Sequence, residues 1–548
     1  MTQDVIADAD TVLRAAAKVY DRDKTALGVI SDLQTRLHEP LRLAIAGMVK
    51  AGKSTLLNAM LGEQIAPTDT GECTRVVTWY RYSAIPTITM YPRVGAPRRM
   101  PIRRDGGRLV LSLDGLTAND VEWIDIGWPL EGLKSVILID TPGIGSLSQA
   151  TSARTSRFLT PETSSPAADA VVYLMRHLHG ADLRFLEAFR DTAAGAARTV
   201  CAVGVLSRSD EIGSGRIDSL LSAGKVARRY EHDGALASLV LRVVPVAGLL
   251  AEGARTLRES EYIALRELAG LDRPDREKLL VSADRFVRAT TVTSLGVTAR
   301  SDLLARFGIF GVRLATALIR GGVHSSSELS EQMVQQSGLI ELQEFIAAQF
   351  HTRAAALKVR GVMMQLETLL QARPRAGLDE VHAGIERISA GAHTLRELAL
   401  LATARSDGLP LADPDAADAQ RIAGVDGTPA HTRLGMTAAA EPEQLQKRVL
   451  EKIDHWRRLS HSPLTEREAV GVCRVVLRSL DAMASELGVG RSLGPAPDIV
   501  LTGGPGDRLG QHTDEQGEQH QTRLDREKRA KRFSLLTNRH PLGREQQH

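Results

Sequence analysis

Eight consecutive residues constrain this chain more than any others: Gly47, Met48, Val49, Lys50, Ala51, Gly52, Lys53 and Ser54. They match the GxxxxGK[ST] phosphate-loop pattern. The loop follows an alternating apolar run, Leu41, Leu43 and Ile45, and precedes a helical stretch, Ser54–Leu61. A strand, a glycine turn and a helix N-terminus align backbone N–H groups into an anion cradle. The spacing assigns Gly47, Val49, Lys50, Ala51, Gly52, Lys53, Ser54 and Thr55 to a nucleotide. Lys53 is placed to reach the β- and γ-phosphates, and the Ser54 hydroxyl to ligate Mg²⁺. Lys50 has two readings. One is a cation over charge developing between those phosphates, a role that an arginine finger fills elsewhere for about 10³–10⁵ in rate. The other is a solvent-facing loop lysine.

Three further motifs follow in order. Asp140-Thr141-Pro142-Gly143 ends the apolar run Ser135–Asp140. An acid there holds Mg²⁺ through water, and the Gly143 N–H faces a γ-phosphate. Ser207-Arg208-Ser209-Asp210 resembles the guanine-reading NKxD motif with two substitutions. The Asp210 carboxylate accepts from guanine N1–H and the 2-amino group together. Such charge-assisted bonds are worth about 1.5–3 kcal/mol each, so adenine is rejected. Arg208 packs on the base, while Ser207 in place of Asn weakens the expected tie back to the phosphate loop. Thr74, with Thr68 and Thr70 as competitors, is the candidate switch threonine that ligates Mg²⁺ and closes over the γ-phosphate. Val246-Ala247-Gly248 is expected to flank the base, with Ala247 at its centre. No Gln follows Gly143 to orient an attacking water, because Ile144 stands there.

Composition narrows the class. The chain has 548 residues, 43% hydrophobic and 25% charged, and a net charge of +3. That balance does not argue for nucleic acid, and there is no KH-type loop or RNP aromatic pattern, which sets aside a ribosome-assembly role. Three separated cysteines, Cys73, Cys201 and Cys473, form no CxxC pair and suit a reducing compartment. The acidic N-terminus lacks a basic region before an apolar run, so no signal peptide is expected.

Periodicity organises the rest. Residues 5–37 carry helical spacing, as one helix or two in series. Strands are expected at Val76–Tyr82, Thr87–Tyr91, Arg108–Leu113, Val121–Ile126, Val136–Ile139, Ala170–Leu174, Val200–Leu206 and Leu241–Val246, with helices between several of them. That is an α/β phosphate-loop domain with a mostly parallel sheet. Helices are expected at Lys278–Ala299, Asp302–Ile319, Leu329–Ala372, Leu378–Ala402, Glu441–Leu459 and Glu466–Glu486, interrupted near Ser406. The expected divisions are a helical segment 1–39, a nucleotide-binding domain 40–290, a helical bundle 291–490 in which the N-terminal helix packs with the C-terminal helices, and a polar, disordered tail 491–548.

The run from Ala46 to Arg81 resembles the opening of a dynamin-superfamily GTPase domain, and Leu206–Asp218, Val243–Gly270, Leu303–Arg313 and His455–Leu464 are similar to segments of the mycobacterial isoniazid-inducible dynamin-like proteins. The resemblance spans about residues 12–487. It implies GTP hydrolysis, GTP/GDP and Mg²⁺ as ligands, self-association through the G domains, a companion dynamin-like chain, a helical stalk that engages lipid, and a role in envelope stress and isoniazid tolerance. It implies a cytoplasmic protein, peripheral on the inner face of the membrane. Eukaryotic members carry a Gln-Ser pair where this chain has Val49 and Lys50, and TKxD where it has SRSD. The alternative is a nucleotide-gated scaffold with little intrinsic hydrolysis.

Two signals bear on membranes. The apolar stretch Ser301–Val323 carries Arg306, Arg313 and Arg320. Each costs about 2.5–3.5 kcal/mol at a bilayer centre, so it does not span. We read it as a core hinge helix, with an interfacial segment as the alternative. The basic run Arg526–Arg532 and the arginines at 93, 98, 99, 103, 104 and 108 are either solvated or attracted to an anionic membrane.

Overall fold

The computed structural model describes residues 2–67, 72–143, 168–194, 201–213, 215–216, 218–232, 236–391, 393–406 and 408–489. They belong to one unit, Met1–Gly490. Thr68, Thr70, Ile144 and the tail from Arg491 onward lie outside the described residues.

The strands, in chain order, are β1 (Leu41–Gly47), β2 (Val77–Tyr82), β3 (Thr87–Pro92), β4 (Arg98–Arg99), β5 (Arg103–Asp105), β6 (Arg108–Val110), β7 (Val121–Trp128), β8 (Val136–Asp140), β9 (Ala170–Met175), β10 (Ala202–Ser207) and β11 (Val243–Val246). Nine form one sheet in the order β11-β10-β9-β1-β8-β2-β7-β3-β4, while β5 and β6 pair separately. The half containing β11, β10, β9, β1 and β8 is parallel, and its apolar runs are buried along nearly every residue, as a sheet covered on both faces requires. From β8 outward the sheet is mixed, since β2 runs antiparallel to β8 and β3 antiparallel to β7. The expected α/β class and mostly parallel sheet therefore stand. Strands β4 and β5 were not expected. Their residues are Arg-rich and fully exposed, so no apolar alternation marks them.

Residues 5–37 form two helices, Thr2–Val19 and Lys24–His38. Asp23 caps the second by accepting from the Ala26 N–H at 3.0 Å. They bury Val12, Leu13, Tyr20, Ile30 and Leu37 against Val362, Leu366, Val381 and Ile385 of the helices Ala354–Ala372 and Asp379–Gly391. The final helices, Pro442–His461 and Arg467–Glu486, have their own core around Trp456, Cys473 and Leu480, joined by Leu400, Leu401 and Ile422. The N-terminal helices thus return to the middle of the helical region rather than to its last pair. A buried ion pair, Arg36 Nη2 to Asp169 Oδ1 at 3.2 Å, fastens them to the sheet, where Asp169 also accepts from the Arg42 N–H.

Several expected helices are broken. Lys278–Ala299 is not one helix: Arg273–Leu279 and Ala283–Phe286 are short, and the next begins at Val297. Arg300 is the cause of the irregular path, because its buried guanidinium collects the carbonyls of Phe286, Arg288 and Leu295. Leu329–Ala372 divides at Gly338, whose φ of +79° no β-carbon tolerates there, since one would lie 2.1 Å from Pro245 O. It divides again at a π-helical turn, Ala347–His351. Leu378–Ala402 divides into Asp379–Gly391 and His393–Ser406, and the Pro/Asp-rich stretch after Ser406 contains the helix Asp413–Ile422. The apolar stretch at 301–323 belongs to the helix Val297–Arg320. Arg306 is paired there to Glu261, and Phe307, Phe310 and Leu314 are buried, so the interfacial alternative falls and the core reading holds.

Candidate functional site

Every motif loop emerges from the C-terminal end of a parallel strand, where open α/β sheets bind ligands. In register, Ile45 of β1 faces Asp140 of β8 and Gly47 faces Leu174 of β9. Gly47 turns the chain at φ +147°. A β-carbon there would sit 2.3 Å from Leu174 O, so only glycine lets the two strands lie side by side.

The phosphate loop has an unusual backbone. Lys50 adopts φ +62°, a left-handed conformation costly for a residue with a β-carbon, and its side chain is exposed. Gly52, at φ +93°, opens the helix Lys53–Leu61. The Lys53 ammonium is buried and folded back onto its own loop, donating to Gly47 O at 3.2 Å and Met48 O at 3.1 Å. Burial pushes its pKa down, and the Asp140 charge opposes that.

Ser54 and Asp140, both assigned to Mg²⁺ from sequence, lie side by side. Ser54 Oγ donates to Asp140 Oδ2 at 3.1 Å, while Asp140 Oδ1 is buried with no hydrogen-bond partner. Burial raises the Asp140 carboxyl to about 6, against Lys53 and the Ser54 bond. A hydroxyl and a carboxylate with one oxygen left without a donor, side by side, are a hard-oxygen ligand set that fits Mg²⁺. Thr141 Oγ1 donates to Ile45 O at 2.9 Å and holds the next loop to the sheet. Gly143 presses on the phosphate loop so closely that a β-carbon would lie 2.7 Å from Val49 Cγ2 and 2.8 Å from Val49 Cα. Thr74 lies half-buried in the 3₁₀ turn Glu72–Arg75, four positions before Thr78, which pairs with Asp140 across β2 and β8.

Beside the loop lies a cavity of about 150 Å³. Ala51, Gly52 and Thr55 form one wall, Ser207, Arg208, Asp210 and Glu211 another, and Val246, Gly248 and Leu249 a third. Asp210 is only 8% exposed, and burial raises its carboxyl above the usual range. Ser207 Oγ donates to Met175 O at 3.2 Å and not to the phosphate loop. The tie comes from Arg208 instead: its Nη2 donates to Lys50 O at 3.3 Å and its Nη1 to Glu211 at 2.8 Å. Ala247 is buried, with its N–H committed to Ser337 O at 2.9 Å, so its neighbours Val246 and Gly248 make the cavity wall.

Sequence reasoning missed a buried support. Asn58 Nδ2 and Gln64 Nε2 both donate to Glu252 Oε1, at 3.1 and 3.0 Å, and Asn58 Oδ1 accepts the Ala66 N–H at 2.7 Å. This network fixes the chain just ahead of the candidate switch segment. The available signal was Asn58 and Glu252, polar residues flanked by small or apolar ones (Leu57 and Ala59, Ala251 and Gly253). Nor does the sequence reveal that Gly308, at φ +64° inside the helix Val297–Arg320, brings that helix against the cavity beside the phosphate loop. A β-carbon on Gly308 would lie 3.6 Å from Leu249 and 3.9 Å from Asp210 Oδ2.

Among the described residues no cluster of three or more His, Cys, Asp or Glu is placed to hold a metal, and no helix is long and apolar enough to cross a membrane. The family model described as "Dynamin family" matches residues 43–99, the span from β1 to β4. The "Isoniazid-induced protein IniC" of Mycobacterium tuberculosis is 41% identical over 458 residues, 83% of this chain and 92% of that protein. A "Bacterial dynamin-like protein" of Nostoc punctiforme is 30% identical over 116 residues, 19% of this chain and 16% of that protein. A solved oligomerised bacterial dynamin pair aligns over 89% of this chain and 73% of that chain, at 12% identity and a TM-score of 0.34. With a phosphate loop, an Asp-Thr-Pro-Gly strand end and a buried carboxylate in one strand-end cleft, and with the mycobacterial IniC protein matched over 92% of its length, the chain belongs to the dynamin family.

Proposed function

We propose that this chain binds GTP with Mg²⁺, hydrolyses it, and couples the cycle to pairing of its nucleotide-binding domains and to peripheral attachment to an anionic membrane. The observation that carries the reading is the shared cleft in which Ser54 and Asp140 lie 3.1 Å apart, next to a cavity walled by Gly52 and Asp210. Lys53 exchanges its two carbonyl partners for phosphate oxygens. The backbone N–H groups of Val49 to Thr55 receive the remaining phosphate charge. Ser54 and Thr74 present hydroxyls, and Asp140 a carboxylate, to Mg²⁺, which neutralises charge on the β- and γ-phosphates when bound. Asp210 selects guanine, and Arg208 covers its face. Lys50, exposed above the loop, is placed to serve either its own γ-phosphate or the facing copy.

The division into a nucleotide-binding domain at 40–290 and a stalk built from 1–39 and 291–490 is part of this reading, as are a companion dynamin-like chain and a place on the cytoplasmic face of the cell membrane. The name of the mycobacterial relative, an isoniazid-induced protein, supports a role in the response to isoniazid. The test is GTP turnover per molecule against protein concentration, with and without anionic liposomes, using Lys53→Ala as the blank. A rate that climbs with concentration and again with liposomes supports catalysis by pairing on a membrane. Flat turnover near the unassisted level of about 10⁻⁴ s⁻¹ overturns it in favour of a nucleotide-gated scaffold.

A further inference from the structure

A groove of about 660 Å³ opens where the base-reading loop meets the helices Arg273–Leu279 and Val297–Arg320. Four guanidinium groups line it: Arg216, Arg276, Arg313 and Arg320. One carboxylate, Glu277, faces them, and it is already engaged by Arg273 Nε at 2.7 Å. Asp218 sits 3.4 Å from Arg216, where both are largely exposed and a pair contributes little. Arg313 spends its nitrogens on neutral carbonyls, Leu280 O, Gly215 O and Val281 O, so among the described residues its charge is held without a counter-ion.

Arg276 is the informative wall residue. It is 8% exposed, and one carbonyl, Leu271 O at 2.6 Å, accepts from its Nη1. Burial and the nearby Arg320 charge lower its pKa, outweighing the attraction of Glu277 and Asp272. With the like charge of Arg320 beside it and one carbonyl on its Nη1, the Arg276 guanidinium has donors to spare for an anion. Guanidinium forks match the oxygens of phosphate, and a bidentate contact fixes orientation as well as charge. A single carboxylate offers two oxygens; a groove this wide with Arg216, Arg276 and Arg320 around it suits several.

We propose that this groove is a second anion site, separate from the nucleotide cleft, that takes a phosphate-bearing ligand. Arg276 forms its wall and Arg216 and Arg320 its rim. Arg313 already joins Gly215, five residues past Asp210, to the Leu280–Val281 turn. An anion bridging Arg216 to Arg320 therefore clamps the base-reading loop onto the helix Val297–Arg320. The exposed Val281 at the groove's edge gives a lipid tail something to touch, so a free polyphosphate and a phospholipid headgroup share this chemistry.

The test uses the full chain carrying Lys53→Ala, which disables the phosphate loop, titrated calorimetrically with sodium pyrophosphate. Its partner adds Arg216→Ser and Arg320→Ser, both exposed, with thermal melts to confirm that the fold is kept. Saturable binding that weakens at least about tenfold in the triple variant, and weakens with added salt, supports the site. Both proteins are also sedimented with phosphatidylglycerol–phosphatidylcholine vesicles. Retention that needs the two arginines and is displaced by pyrophosphate identifies a headgroup as the ligand; pyrophosphate binding without retention identifies a free anion. Equal binding by both proteins, or no saturable binding to pyrophosphate or vesicles, overturns the proposal.

Discussion

The Arg208 guanidinium donates to the backbone oxygen of Lys50 at 3.3 Å, and both residues hold a positive φ, +53° and +62°. The base-reading loop and the phosphate loop are therefore tied through two strained backbones. Strain of about 1–2 kcal/mol at each is tolerated only where surrounding structure fixes it. Arg208→Ala cuts the tie and releases the phosphate loop, and GDP affinity is expected to fall by up to about tenfold, the scale of one hydrogen bond's net worth. A fluorescent-nucleotide titration checks this.

Lys50→Gly separates the side chain's role from the backbone's. Glycine accepts φ +62° freely, so the melting temperature should hold or rise, by up to about 1 kcal/mol of stability. If the Lys50 ammonium acts on the γ-phosphate, turnover drops while GDP affinity stays within about threefold. Stopped assays of phosphate release beside equilibrium binding distinguish the two.

Gly143→Ala should cripple the site without unfolding the chain. The added carbon would lie 2.7 Å from Val49 Cγ2 and 2.8 Å from Val49 Cα, and Val49 Cα is phosphate-loop backbone. The loop must move, and a displacement near 1 Å costs on the order of 10² in rate. The expected result is lost turnover with a melting temperature close to the parent's.

Much of the site was legible because each motif is local. A phosphate loop needs its glycines, lysine and serine within eight residues, and the strand ahead of Asp140 announces itself by apolar residues alone. What stayed hidden depends on distant chain. The tie to the phosphate loop passes from Ser207, where the motif resemblance put it, to Arg208, because Ser207 finds Met175 O first. Strands β4 and β5 are short, Arg-rich and exposed, and Arg104 is held by Glu63 and the Trp128 ring, partners that lie far off in sequence. Arg300 looks like a surface residue in sequence, yet it is 1% exposed and organises the approach to the helix Val297–Arg320.

Gly308→Ala tests whether that helix reports on the base cavity. At φ +64° and ψ 170°, a region open essentially to glycine alone, an alanine is strained by about 1–3 kcal/mol. The helix would relieve this by straightening away from Leu249 and Asp210. Loss of stability in that range, together with weaker guanine-nucleotide binding, is the expected pair of outcomes. A stability loss with unchanged affinity would mean the kink serves packing only.

The acid limb of stability has a source in the helical region. Burial pushes the Glu397 carboxyl up, but hydrogen bonds from His393 and Ser479 and the charges of Arg433 and Arg353 outweigh it and hold it at about 2. A depressed carboxylate contributes stability above its unfolded value, and that contribution is lost as pH falls from about 4.5 toward 2. Glu397→Gln should cost about 3 kcal/mol near neutral pH, because it leaves Arg433 buried without its partner. Melting curves of the two proteins should converge as pH drops through that window.

The central claim, that the cavity beside the phosphate loop reads guanine through Asp210, is tested most directly by comparing the affinities of GDP, ADP and xanthosine diphosphate for the parent chain and for Asp210→Asn. Two charge-assisted bonds give a preference for GDP over ADP of at least about 10² in the parent. Xanthine presents a carbonyl where guanine presents an amine, so Asn in place of Asp should reverse the order of GDP and xanthosine diphosphate. Equal affinities for GDP and ADP in the parent, or an unchanged order in Asp210→Asn, would contradict the account.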